Sequence, residues 1–178
     1  MAVFAPSAFP ADNNWMGWLE KIRIDSMERA LAILKWIARR RRGSSAFPAH
    51  LETGIDGEDA ALFYLRRNGY VVVARRWSSG SIAGDLDLIA WQGPMLCFVE
   101  VKTRTAHDIT PAEVAVGSHK RHTLRRLARQ YVRQLPQEIA PPVRFDVLSV
   151  YLLPGQKKEF QHFEGSFGWS EQSDSEWR

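Results

Sequence analysis

From Gly84 to Arg104 the chain reads GDLDLIAWQGPMLCFVEVKTR, two apolar runs joined at Gly93-Pro94, each carrying a charged pair at i, i+2. Asp85 and Asp87 lie on the first run, Glu100 and Lys102 on the second. Gly-Pro is a turn dipeptide, and residues two apart on a strand share a face. A hairpin symmetric about that turn sets Asp87 opposite Glu100 and Asp85 opposite Lys102. Three acids and a lysine then meet on strands that are otherwise Leu, Ile, Val, Phe and Cys. Burying unpaired charge is costly, and a divalent cation is one thing that makes such a cluster tolerable.

The rest of the chain supplies a frame for this hairpin. A length of 178 residues suits one domain with an extension, and a hydrophobic fraction of 45% can build a core. Glu58 to Asn68 has helical spacing, with Ala61, Leu62 and Leu65 on one side and Gly69 as a stop. Tyr70 to Arg75 is a β-branched run and reads as a strand, and Trp77 to Gly84 as a Ser/Gly-rich loop. The hairpin strands fall at about 85–91 and 95–103. A loop at 105–112 and a helix from Ala112 to Leu135 follow, then a strand from Val143 to Leu152 and a short one at Phe160–Phe163. The order α-β-β-β-α-β predicts an α/β fold with helices flanking a mixed central sheet.

Two ends flank this domain. Residues 1–54 form an extension in which Trp15 to Arg42 is a basic amphipathic helix and 43–54 a linker. The domain is predicted to run over 55–163 and a polar tail over 164–178. Residues 1–14 lack a positive n-region, so no secretory signal is expected, and Met27 offers an alternative start. No apolar run approaches the ~20 residues of a membrane span. A helix ending Arg39-Arg40-Arg41-Arg42 suits an anionic membrane surface or nucleic acid, and the plain alternative is a solvated extension. The single Cys97 sits in an apolar strand, so it reads as a buried hydrophobe with no disulfide partner in the chain, in keeping with a cytoplasmic setting.

The chemistry implied by the acids is that of a hard cation. Asp87 and Glu100 are candidate ligands for Mg²⁺ or Mn²⁺, which prefer carboxylate oxygen. Glu58 would reach the same ion directly or through water. Lys102 beside it would stabilise charge developing on a phosphate. The plain alternative is a salt-bridged hairpin, whose cross-strand charge pairs contribute only ~0.2–1 kcal/mol each. Spacing leaves both readings open.

A second feature is the helix after the hairpin. Arg121, Arg125, Arg129 and Arg133 recur every four residues beside Lys120, and Leu124, Leu127, Ala128, Tyr131 and Leu135 form an apolar stripe. A row of arginines suits sequence-independent phosphate contacts. With Lys120 and Arg104 these arginines are the candidate nucleic-acid-binding residues. A solvated helix face is the alternative. His107, His119 and His122 lack metal-ligand spacing. Asp146 reads as a structural partner of Arg144, and Trp77 and Trp91 as packing residues of the sheet.

Gly57-Glu58, GDLDLI at Gly84–Ile89, FVEVKTR at Phe98–Arg104, Lys120 and RFDV at Arg144–Val147 keep the order and spacing of a known pattern. Over about half its length the chain resembles the YraN-like family, a bacterial group placed in the restriction-endonuclease-like, PD-(D/E)xK nuclease superfamily. The resemblance implies a three-layer α/β core and metal-dependent phosphodiester hydrolysis, with DNA, branched or damaged, as substrate. It carries Asp87, Glu100 and Lys102 over as the catalytic triad and Glu58 as the acid of the first helix. It also admits a homodimer, as in branched-DNA nucleases, although no residue demands one. The chain departs from the family in having Asp85 where Glu is usual, a longer loop at 78–83, and Arg75-Arg76-Trp77 in place of Asn-aromatic-Arg. A non-catalytic nucleic-acid-binding module on the same fold, held at a membrane through its N-terminal helix, is the second reading. An intact acidic set with its lysine favours the enzyme.

Overall fold

The computed structural model describes residues 14–42, 49–106, 116–136 and 140–169. The expectations for residues 1–13, the linker at 43–48, His107 and the rest of the loop to 112, the start of the second core helix at Ala112, and the tail from 170 lie outside the described residues. Among the described residues are three helices, α1 (Asn14–Arg42), α2 (Ala49–Arg67) and α3 (Ser118–Val132). The five strands are β1 (Val71–Ser79), β2 (Ile82–Gln92), β3 (Met95–Arg104), β4 (Val143–Tyr151) and β5 (Glu159–Phe167). None of these helices is long and apolar enough to cross a membrane.

The strands form one sheet in the order β1-β2-β3-β4-β5. β1, β2 and β3 are joined antiparallel, β3 and β4 run parallel, and β5 returns antiparallel to β4. A parallel pair needs a crossover, and α3 lies in the one between β3 and β4. Its apolar stripe of Leu124, Leu127, Ala128 and Tyr131 is buried with Phe98, Phe145 and Val147 on one face of the sheet. α2 covers the other face, where Ala60, Ala61 and Leu65 meet Leu88, Val99, Leu148 and Val150. This is the three-layer α/β core expected from the order of elements. Because both faces are covered, β3 is buried continuously from Leu96 to Glu100 rather than at alternate positions.

Three boundaries differ from the sequence reading. α2 begins at Ala49, before the expected domain boundary at 54/55 and inside the expected linker. β1 and β2 extend through the Ser/Gly-rich segment, which is a hairpin with Ser79 opposite Ile82 rather than a long loop. Pairing with a neighbouring strand outweighs the weak intrinsic preference of Ser and Gly for turns. β5 runs four residues past Phe163, and Phe167, expected in a polar tail, is buried against Phe145 with ring centroids 4.8 Å apart.

A buried polar network ties the sheet to its α2 side. Asp146, fully buried, accepts from Arg144 Nε at 2.8 Å and Nη2 at 3.0 Å, and from the Gly165 amide at 2.9 Å. His162 Nε2 lies 3.2 Å from the same carboxylate. Arg144 also donates to the Tyr70 hydroxyl at 2.9 Å, which donates to Glu164 at 2.6 Å. Asp146 is thus the structural partner of Arg144, as its place in the last core strand suggested. Cys97 is fully buried, and burial raises its thiol to about 12, so it behaves as a small hydrophobe.

α2 approaches β3 unusually closely. A Cβ on Gly57 would lie 1.8 Å from Thr103 Oγ1 and 2.8 Å from Thr103 Cβ. Only glycine permits that approach, which also places the next residue, Glu58, beside the end of β3. Gly57→Ala is therefore expected to cost about 1–3 kcal/mol, the usual range for forcing atoms into a packed contact. Thr103→Ala in the same chain should recover part of that loss by removing the nearest atom. Urea unfolding of the two variants and the wild type tests this, and equal stability of Gly57→Ala and wild type would refute the close approach.

Candidate active site

β2 and β3 are paired from Gln92↔Met95 to Leu88↔Val99, the register of the predicted hairpin. The next pair would be Asp87 with Glu100. There the ladder ends, and the Val101 amide donates instead to Asp87 Oδ2 at 2.7 Å. The faces also slip at this point. Leu86 packs on the α3 side and Leu88 on the α2 side, although residues two apart on a regular strand share a face. Asp85 and Asp87 therefore do not form the same-face pair of a regular strand. Instead the slip turns the Asp87 carboxylate into the fork between the diverging strands.

β3 stays regular, so Glu100 and Lys102 share the α3 face. Lys102 Nζ donates to Glu100 Oε1 at 2.9 Å, so among the described residues the Asp85–Lys102 pair drawn from a symmetric register does not form. Lys120 from α3 reaches the other oxygen, with Nζ 3.2 Å from Oε2. Glu100 is 4% exposed, and its Oε2 is buried with this ion pair but no hydrogen bond. Lys120, expected on the sequence as a nucleic-acid contact that could also reach the active site from across the sheet, is thus part of this site. Burial works against its charge, but the Glu100 and Asp87 carboxylates outweigh that and raise its pKa.

Glu58 is brought to the same place and held differently. An open cleft of about 540 Å³ is lined by Glu58, Asp87, Glu100 and Lys102 together with Thr53 and Thr103. The Glu58 carboxylate is clasped by Arg76, which donates from Nε at 2.6 Å and Nη2 at 2.7 Å. Arg75 pairs with the neighbouring Asp59 at 2.7 Å. Consecutive strand residues ordinarily point to opposite faces. Both arginines reach α2 because Arg76 adopts φ 46°, a left-handed backbone uncommon outside glycine. The register places Arg76 opposite Asp87, between that residue and Glu58. The sequence signal for this clasp was the Arg75-Arg76 doublet interrupting a β-branched run, but only the bend at Arg76 gives it a target.

The arginine row of α3 divides. Arg125 is 4% exposed, donates to the Gly168 carbonyl at 2.7 Å and lies 5.5 Å from the Phe167 ring. It joins α3 to the end of β5 and is a structural residue rather than a surface phosphate contact. Arg129, exposed, donates to the Trp169 carbonyl at 3.1 Å. Arg121 is partly buried and Arg133 is exposed. The reason is geometric. At 3.6 residues per turn a four-residue repeat drifts about 40° per step, so four arginines span about 120° and cannot share one face. Arg104 ends β3 opposite Tyr151 of β4, and its carbonyl accepts from Leu152 at 2.8 Å. Trp77 packs edge-on against Tyr131 at 5.3 Å and Trp91 is buried, so both are packing residues.

Among the described residues no group of three or more His, Cys, Asp or Glu side chains is arranged to hold a metal ion. Asp87 and Glu100 supply two carboxylates, one with a buried oxygen that lacks a hydrogen bond. That donor set fits a hard cation such as Mg²⁺, which keeps several waters and takes one or two carboxylates. Glu58, bound to Arg76, is not placed as a direct third ligand.

Burial, then the Glu100 carboxylate, push the Asp87 carboxyl up to about 7, against the Val101 amide and Lys120. A folded pKa above the unfolded value of 3.8 means that the folded state keeps a proton that the unfolded state has lost. This contribution is complete below the unfolded value and is lost as pH rises through about 7. Stability of the metal-free protein should therefore fall as pH rises from the unfolded value of 3.8 to about 7 and level off above that. Asp87→Asn should flatten that fall and raise stability at the upper end by about 1 kcal/mol or more, which is about 2–4 °C in melting temperature. Mg²⁺ should raise the wild-type melting temperature at the same pH and leave the variant unmoved. Thermal melts across pH with and without Mg²⁺ check both, and a wild-type pH profile identical to that of Asp87→Asn would refute the assignment.

The profile of the uncharacterised protein family UPF0102 matches residues 57–150, which contain every side chain of the cleft named above except Thr53. The UPF0102 protein of Koribacter versatilis is 50% identical over 105 residues, 59% of this chain and 72% of the relative. That of Solibacter usitatus is 46% identical over 104 residues, 58% of this chain and 78% of the relative. That of Rhodococcus opacus is 38% identical over 119 residues, 66% of this chain and 98% of the relative. The chain therefore belongs to the UPF0102, or YraN-like, family of restriction-endonuclease-like fold.

Proposed function

We propose that this protein is a metal-dependent nuclease that hydrolyses phosphodiester bonds of DNA. The observation that carries the reading is the convergence of Asp87, Glu100, Lys102 and Lys120 at the fork between β2 and β3, beside an open cleft. A hairpin needing only stability gains little from this arrangement. One buried carboxylate carrying two lysines beside a second carboxylate costs desolvation that apolar residues would avoid. A bound Mg²⁺ or Mn²⁺ would be held by Asp87 and Glu100 and would supply Lewis acidity toward a phosphate and its attacking water.

The side chains define the remaining parts. Lys102 and Lys120 stand on either oxygen of Glu100, Lys102 in the cleft itself, and their charge would stabilise the negative charge that grows on phosphorus oxygens during attack. The Val101 amide fixes the Asp87 carboxylate through Oδ2, leaving its other oxygen to serve as a ligand. Hydrolysis consumes one phosphodiester and one water and yields a phosphomonoester and a free hydroxyl. Lys120, Arg104 and Arg133 are the sequence-predicted basic residues that would contact the backbone, with Arg129 and Arg121 at the margin, whereas Arg125 is committed to the fold.

The test is a cleavage assay with Mg²⁺ or Mn²⁺ on linear, flapped and four-way-junction DNA, single strands and RNA. Wild type should cleave DNA only with metal, and Asp87→Asn and Lys102→Ala should each lose about 100-fold or more. Absence of cleavage on every substrate, with binding equal in all three proteins, would instead favour a non-catalytic binding module.

A further inference from the structure

α1 docks through a mixed face, with Ile24 buried and Leu31 and Ala32 against Ala60 and Phe63 of α2, and it still leaves large hydrophobics outward. Its contacts with the core include a set of ion pairs. Lys35 pairs with Asp56 at 2.8 Å and also with Asp59, Arg67 with Asp25 at 2.7 Å and also with Glu28, and Lys158 with Glu28 at 3.0 Å. The opposite side carries Ile33 and Trp36, 58% and 54% exposed, while Leu34, 62% exposed, lies on its flank about 100° from Ile33. The exposed large hydrophobics among the described residues are these three, Ile22, Met27 and Leu51 of α2. At 100° per residue Ile22, Ile33, Trp36 and Arg40 fall within about 60° of one another, opposite Ile24 and Lys35. A cluster of this size on one helix marks an interaction surface.

The charge pattern selects the partner. α1 contains three acids, Glu20, Asp25 and Glu28, and each is paired within the chain, with Arg23, Arg67, and Arg67 and Lys158 respectively. From Arg29 to Arg42 the sequence has no acid and six basic residues, of which Lys35 is spent on α2. Arg40 stacks over the exposed Trp36 ring at 4.1 Å, joining the apolar stripe to the basic end. A second copy meeting this face would offer its arginines no free acid from the same helix. Duplex DNA would offer phosphates but nothing to cover Ile33, Leu34 and Trp36. An anionic bilayer surface supplies both, with acyl boundary for the apolar stripe and headgroups for the arginines.

We propose that α1 is a peripheral membrane-binding element that lays its Ile33–Trp36 stripe into the surface of an anionic lipid bilayer. This reading is independent of the nuclease assignment. With α1 tied to α2 through the turn that carries Asp56 and Asp59, the same surface would hold the catalytic cleft near the membrane.

The experiment is vesicle flotation of the full chain with phosphatidylcholine alone and with phosphatidylglycerol added. Three proteins are compared: wild type, Ile33→Glu/Trp36→Glu and Arg40→Glu. All three substitutions fall on the outer face, so thermal melting should leave the fold unchanged. Wild type should bind the anionic vesicles at least about tenfold more tightly than the neutral ones. The double variant should lose about tenfold or more on anionic vesicles, and Arg40→Glu should lose a smaller factor on those vesicles alone. The proposal is overturned if wild type fails to float with anionic vesicles, or if the double variant floats equally well. It is also overturned if sedimentation velocity finds a dimer that the same substitutions dissociate while lipid binding is absent.

Discussion

Beyond Leu88 and Val99 the two central strands part, and the Val101 amide that a continuing ladder would give to β2 is given to the Asp87 carboxylate. That single hydrogen bond reconciles two demands. A buried backbone amide must be satisfied, and β2 must leave β3 so that it can run on with β1 to the Ser79–Ile82 turn. The fork it creates leaves room between the strands for Asp87 and Glu100 at the mouth of a cleft rather than as an ordinary cross-strand pair. β3 is free to continue because β4 pairs with it in parallel through Arg104, carrying Lys102 and Thr103 past the point where β2 has gone.

The helices complete the site from two sides because they cover opposite faces of the sheet. α3 delivers Lys120 from its first turn, and α2 delivers Glu58 next to Gly57, where the missing side chain lets the helix sit against Thr103. The clasp of Arg76 on Glu58 follows from the same closeness, since β1 lies within reach of that turn of α2. The buried Arg144–Asp146–Tyr70 network lies nearer the N-terminal ends of β3 and β4 and is wholly satisfied within the protein. There burial works against the Asp146 charge, but His162, Arg144 and the Gly165 amide hold its pKa below the ordinary value. At the site, by contrast, a carboxylate oxygen is left buried without a hydrogen bond and Asp87 is pushed up. The contrast between a closed network and an incomplete one is a physical reason to place function at the fork.

The N-terminal helix shows how far surface chemistry depends on docking. Its charged groups pair with α2 and with Lys158 just before β5, and Ile33 and Trp36 are left outward. The same amphipathic sequence docked through its apolar side would have been an unremarkable extra layer of core. What fixes the orientation on α2 is the set of ion pairs to Asp56, Asp59 and Arg67, beside a smaller apolar seam where Leu31 and Ala32 meet Ala60 and Phe63.

Much of the candidate site could be read along the chain. The short Gly93-Pro94 turn between two apolar runs determined the register of β2 and β3, because a tight turn leaves few alternative pairings. The apolar stripe from Leu124 to Leu135 determined which side of α3 is buried, and the resemblance carried by GDLDLI and FVEVKTR determined the family and its fold. Tertiary structure alone decided the rest. The slip at Asp87, the turn of Lys102 to Glu100 instead of Asp85, the capture of Glu58 by Arg76 and the burial of Arg125 all depend on which groups meet across elements far apart in the chain. Ionic and hydrogen-bond partners act at about 3 Å and are chosen by geometry, whereas apolar periodicity is a local property that a sequence carries in itself.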